Sequence, residues 1–124
     1  MTTFVVRSLA CMGLGYKRNP QGLEALLAVM QSESDHNVRA EAANALARHG
    51  GEQALEALLD LYARDDHWLV RTSILAAMAA EDDMPIESLH QLAEQGCTDA
   101  NETVREAGQG LKLRVQQRRL ERLI

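Results

Sequence analysis

Four histidines (His36, His49, His67, His90), two cysteines (Cys11, Cys97) and two acidic runs (Asp65-Asp66, Glu81-Asp82-Asp83) are the residues of this chain with the most obvious chemical potential. Metal-assisted hydrolysis would want histidines one helical turn apart with an acid between them, or paired cysteines at CxxC spacing. Neither spacing occurs: no two histidines stand four apart, and the cysteines are separated by most of the chain. General acid–base chemistry would want two carboxylates converging on one cleft. The acidic runs fall in successive turns, which a stack of helical hairpins sets at opposite ends of its helices. There is no GxSxG, no glycine loop of the phosphate-binding kind and no Cys-His pairing signal. No catalytic residue, cofactor or metal ligand is expected from these spacings, and the chain is expected not to be an enzyme.

The elements that carry these residues must be helical. The chain has 124 residues, the size of one domain. Apolar residues make up 46% of it, yet only Phe4, Tyr16, Tyr62 and Trp68 are aromatic. A core of Leu, Ala, Val and Met favours helix over strand. No run is long and apolar enough for a membrane span. The opening MTTFVVRSLACMG lacks a basic start, and Arg7 interrupts its apolar stretch, so it does not read as a signal peptide. With only two cysteines and no disulfide framework, a cytoplasmic protein is expected.

Organisation emerges from a repeated dipeptide. Val6-Arg7, Val38-Arg39, Val70-Arg71 and Val104-Arg105 are separated by 32, 32 and 34 residues, and each opens a run of small or apolar residues. In SDHNVRAEAANALARHG (34–50) that run is mostly alanine. Between the pairs lies a second element: GLEALLAVM (22–30), ALEALLDLY (54–62) and PIESLHQLA (85–93). Leu23, Leu26, Leu27 and Met30 match Leu55, Leu58, Leu59 and Tyr62 at amphipathic-helix spacing. Asn19-Pro20, Met84-Pro85 and Gly50-Gly51 punctuate these elements, and Asp99 with Glu102 reads as a capping box. The chain thus reads as one all-α domain, an α-solenoid of about three and a half hairpins. First helices fall near 20–32, 52–64 and 85–95, and second helices near 4–16, 37–49, 69–80 and 102–118.

These units resemble short HEAT-like repeats, the kind found in phycobilisome lyases and many bacterial scaffold proteins. There the second helix opens with Asp, a few residues, Val-Arg and an alanine-rich run, as in Asp35-His36-Asn37-Val38-Arg39 followed by Ala42-Ala43 and Ala45-Leu46. The resemblance implies that each arginine reaches an aspartate in a neighbouring turn, with Asp35, Asp66 and Asp99 the candidates, four, five and six residues before Arg39, Arg71 and Arg105. It also implies that second helices line the binding side of the stack. Deoxyhypusine hydroxylases share the fold but hold iron through His-Glu dipeptides, and here the residues after the histidines are Asn, Gly, Trp and Gln.

Charge narrows the partners. The chain is net −5, which repels nucleic acid. Residues 1–111 carry net −9 and residues 112–124 (KLRVQQRRLERLI) net +4. The basic segment reads as a packed final helix through its leucines and Ile124, with a charged outer face. Positions three, six and ten after each valine should point away from the core. In the central units they are Glu41, Asn44, Arg48, Ser73, Ala76 and Ala80, a floor for a partner polypeptide. In the first unit they are Leu9, Met12 and Tyr16, joined by Phe4 and Val5. That end is apolar enough to predict an interaction surface, with a homodimer as one outcome. The expected function is a non-catalytic protein–protein scaffold. The alternative is an accessory subunit resembling a bilin lyase.

Overall fold

The computed structural model describes residues 3–17 and 19–123, and within them the side chains of all but Phe4, Val5 and Lys17. Ile124 and the apolar contribution expected of Phe4 and Val5 therefore lie outside the described residues. Seven helices follow one another: α1 (Phe4–Lys17), α2 (Pro20–Ser32), α3 (His36–His49), α4 (Glu52–Arg64), α5 (Trp68–Ala80), α6 (Ile86–Cys97) and α7 (Glu102–Glu121). No strand is present among the described residues.

Local sequence explains the helix ends. Asn19 caps α2 by accepting the Gly22 N–H at 2.6 Å, with Pro20 in the first turn, where its missing N–H is not needed. Asp35 caps α3 through the N–H groups of Asn37 and Val38. Gly50 and Gly51 hold φ of 74° and 91°, a left-handed pair that reverses the chain between α3 and α4. One expectation is corrected at the start of α7. The cap is Asn101, which accepts the Val104 N–H at 3.1 Å, and Asp99 is engaged elsewhere.

The helices alternate between two layers. α1, α3, α5 and α7 pack side by side, each against the next, and α2, α4 and α6 lie on one side of that row. Val38, Val70 and Val104 are fully buried, as are Ala42, Ala43 and Ala45. The alanine run lets neighbouring helices approach closely. A Cβ added to Gly15 of α1 would stand 2.7 Å from the Cα of Ala45 in α3, and one on Gly108 of α7 would stand 2.5 Å from the backbone carbon of Gly96 in α6. Gly13 of α1 and Gly110 of α7 face open space. The final helix is held by Leu111 and Val115, whereas Leu113, Leu120 and Leu123 are exposed. The leucines of the basic segment thus face solvent, contrary to the expectation that they pack.

The arginines join the units. Arg39 directs Nε and Nη2 onto Asp65 at 2.8 and 3.3 Å, and Arg71 directs the same two groups onto Asp99 at 2.9 and 3.1 Å. Arg7 makes the equivalent fork onto Glu33 at 2.9 and 3.0 Å. The carboxylates are therefore Glu33, Asp65 and Asp99, not Asp35 and Asp66 at the first two rungs. Asp35 is committed to the α3 cap. Each rung acid also accepts the N–H two residues on, from Asp35, His67 and Asn101. The Nη1 groups of Arg39, Arg71 and Arg105 donate backward to the carbonyls of Glu33, Asp65 and Asp99, six residues earlier in each case. One guanidinium thus ties its own turn to the next, in the planar fork that lysine cannot make.

Asp99 is the most heavily used rung, since Tyr62 also donates its hydroxyl at 3.0 Å. The Arg71 guanidinium holds the Asp99 carboxyl below the usual carboxylate range, and the Asn101 N–H and Tyr62 hydroxyl add to this. Arg7 does the same for Glu33, with the Asp35 N–H assisting. Burial raises the Tyr62 hydroxyl well above its ordinary value, and the Asp99 carboxylate beside it adds to the shift.

Candidate polypeptide-binding groove

On α3 and α5 the second-helix surface forms a shallow depression of about 310 Å³ lined by Asn44, Arg48, Ala76, Ala77, Ala80 and Glu81. Four of the residues read from the sequence, Asn44, Arg48, Ala76 and Ala80, come together here. Ala77 and Glu81 complete the lining. Glu41 and Ser73 are half-buried and outside the depression, although Glu41 lies 3.6 Å from Arg48.

The floor is small because α5 carries three alanines where a leucine would fill the hollow. Arg48 forms one end of it. Its guanidinium sits 4.7 Å from the centre of the Tyr16 ring, and Nη2 reaches the Met12 carbonyl at 3.5 Å. Its buried Nε–H has no acceptor among the described residues. Through Arg48 the groove joins the apolar face of α1, where Leu9 and Tyr16 are 59% and 71% exposed and Met12 is partly so. Glu81 marks the opposite end. A polypeptide laid along this path would meet aromatic and aliphatic surface, then a partly exposed cation, then a flat alanine floor.

The histidines, cysteines and acidic runs lie outside this groove's floor, Glu81 apart. Among the described residues no three of His, Cys, Asp or Glu converge to hold a metal ion. His36 and His67 stack face to face, ring centres 3.8 Å apart and 9° from parallel, with Trp68 beside them. Sequence reasoning missed this pairing, whose only signal is that both residues stand at the start of a second helix. His67 Nδ1 accepts the Leu69 N–H at 3.1 Å, which fixes its proton on Nε2 and makes it the cap of α5.

Cys11 is buried, and desolvation raises its thiol above the ordinary value, with the negative charges of Glu41 and Glu33 adding to the effect. Such a thiol reacts slowly. With a thiol-reactive chromophore at neutral pH, half-exposed Cys97 should be labelled first and Cys11 about tenfold slower or more. Equal rates would contradict the packing of α1 against α3.

Two layers of antiparallel helices repeated along an axis, joined by arginine forks between turns, define a helical-repeat solenoid. The family profile described as HEAT repeats matches residues 3–79, more than half of the chain, and the protein belongs to that family. HEAT repeats in general mediate protein–protein interaction and are typically non-enzymatic. No curated protein and no solved structure matched the chain. No helix among the described residues is long and apolar enough to cross a membrane.

Proposed function

We propose that this protein is a non-catalytic scaffold whose α3–α5 groove holds a segment of another polypeptide. The observation that carries the reading is the meeting of the partly exposed Arg48 guanidinium and the alanine floor of α5, continuous with the apolar side chains of α1. The Arg48 side chain is 25% exposed, and a partner's carbonyl or carboxylate would pair with the exposed part of its guanidinium. Apolar residues on either side of that acceptor would cover Tyr16 and the alanines. Self-association, which the apolar residues of α1 favour, would use another face of that helix and leave the groove open.

Ala76 is exposed on the groove floor, so Ala76→Arg fills it without disturbing the core. Against a partner recovered by affinity capture, the substitution should weaken binding at least tenfold, about 1.4 kcal/mol. Unchanged affinity in isothermal titration would remove the groove from the function. The bilin-lyase alternative predicts a visible chromophore in protein purified from a tetrapyrrole-producing host. A colourless protein that captures a polypeptide speaks for the scaffold.

A further inference from the structure

The uncovered face of α1 carries the residue pattern of a face that is buried in α3 and α7 and largely buried in α5, where Val70 and Ile74 are covered and Ala77 is partly so. At the valine and the positions four and seven after it, α3 has Val38, Ala42 and Ala45, all fully buried, and α7 has Val104, Gly108 and Leu111, buried as well. These positions meet the first helix of the same unit and the second helix of the unit before, as the Gly108 contact with Gly96 and the Ala45 contact with Gly15 show. In α1 the same positions are Val6, Ala10 and Gly13. They keep the valine and the small residues, yet Val6 is 50% exposed, Ala10 is exposed and a Cβ on Gly13 would meet nothing within 4 Å. This is a repeat-to-repeat interface without its second half among the described residues.

The opposite end is built differently. Positions two, five and eight after the valine face the next unit: they are Ala40, Ala43 and Leu46 in α3, all buried, but exposed Glu106, Gln109 and Lys112 in α7. The outward face of α7 is polar, as a capping helix requires. It cannot supply the apolar complement to α1, so head-to-tail stacking of copies is disfavoured.

We infer that the face of Val6, Ala10 and Gly13 pairs with the same face of a second copy across a two-fold axis. Helices joined by a short turn run antiparallel, so of the two helices that cover this face inside the chain the first helix of the same unit is antiparallel to it. A two-fold axis perpendicular to α1 brings an antiparallel α1 into that place. Ala10 and Gly13 at the crossing allow the backbones to approach as Gly96 and Gly108 do inside the chain. Charge favours the same partner. The described residues of this face, Val6, Ala10 and Gly13, are all uncharged, on a chain of net −5. Two copies meeting here avoid the repulsion that their acidic surfaces impose elsewhere.

Light scattering coupled to size exclusion at high micromolar concentration should give twice the 13.7 kDa chain mass. Ala10→Glu with Gly13→Glu should return it to the single-chain mass with the helical circular dichroism retained. Gly13→Cys, made with Cys97→Ser and the buried Cys11 kept, should cross-link to its twin on mild oxidation, which serves also if the glutamate variant does not fold. A single-chain mass for the parent overturns the inference. So does a dimer that neither responds to the two glutamates nor cross-links through position 13.

Discussion

Asp99→Ala is expected to lower the unfolding free energy by about 3 kcal/mol, near the upper end for losing one partner of a buried, hydrogen-bonded ion pair. The side chains of Asp99 and Arg71 are only 10% and 15% exposed, so water replaces little of what is lost. Removing the carboxylate leaves the Arg71 fork, the Tyr62 hydroxyl and the Asn101 N–H without their acceptor at one stroke. It also loosens the turn that starts α7. An exposed pair such as Arg64 with Asp60, within one helix, would contribute less than about 1 kcal/mol by comparison. Arg71→Lys should recover only part of the stability, because an ammonium cannot occupy both carboxylate oxygens in the plane. The measurement is the urea midpoint of each variant, and a parental midpoint for Asp99→Ala would refute the role given to this rung.

The same carboxylate sets an acid limit. Its folded-state pKa is lowered by Arg71. The unfolded chain therefore binds the proton more tightly, and stability rises with pH across this range. The contribution is complete above about pH 5 and disappears as pH falls through the unfolded value of about 3.9 and then the lower folded one. Glu33 acts in the same direction through Arg7. In Asp99→Asn the fall in stability below about pH 5 should be shallower than in the parent, since one of the linked protons is gone.

The fold could be read because a solenoid writes its period into the chain. Valine recurs where each second helix meets its neighbours, and alanines fill most of the buried positions of α3. The ladder was half legible. The aspartates nearest before Arg39, Arg71 and Arg105 are Asp35, Asp66 and Asp99, at offsets that drift from four to six. The acids that do the work stand six residues before Arg39, Arg71 and Arg105, as Glu33, Asp65 and Asp99, and each receives the fork of the preceding unit's arginine. Demanding a constant offset would have found them, with a glutamate accepted at the first rung. Asp35 misled because a helix cap also favours aspartate at the start of a second helix. Val6 shows a further limit. A pattern records what a residue is suited to contact, and only coordinates show whether anything covers it.

The groove was partly legible for the same reason. Helical spacing put Asn44, Arg48, Ala76 and Ala80 on one face, and they converge. It could not show that Arg48 lies over Tyr16, because that contact joins residues 32 apart in the sequence through the packing of α1 on α3. The stack of His36 on His67 was hidden likewise. Both depend on the lateral offset between units, which periodicity alone does not specify.

Gly108→Val should be as damaging as loss of the Asp99 rung, for a steric reason. The added Cβ would stand 2.5 Å from the backbone carbon of Gly96 and 2.6 Å from the amide nitrogen of Cys97. Both obstacles are backbone, so no rotamer change relieves the clash, and α6 and α7 must move apart. Separation would also cost α7 its fit over the buried Leu89, Leu92, Leu111 and Val115. Overpacking a tight core typically costs about 1–3 kcal/mol, and here the figure should reach about 3 because the contact is backbone to backbone. A better helix former cannot compensate: replacing a helical glycine contributes only about 1 kcal/mol. Gly110, two residues on in the same helix, separates the two effects. It faces open space, so Gly110→Ala should stabilise the protein by about 0.5–1 kcal/mol. Opposite shifts in thermal midpoint from positions 108 and 110 would show that the α6–α7 crossing, rather than helix propensity, governs this end of the stack. Destabilisation of similar size at both positions would mean that the close approach of Gly96 and Gly108 is not what holds α7 in place.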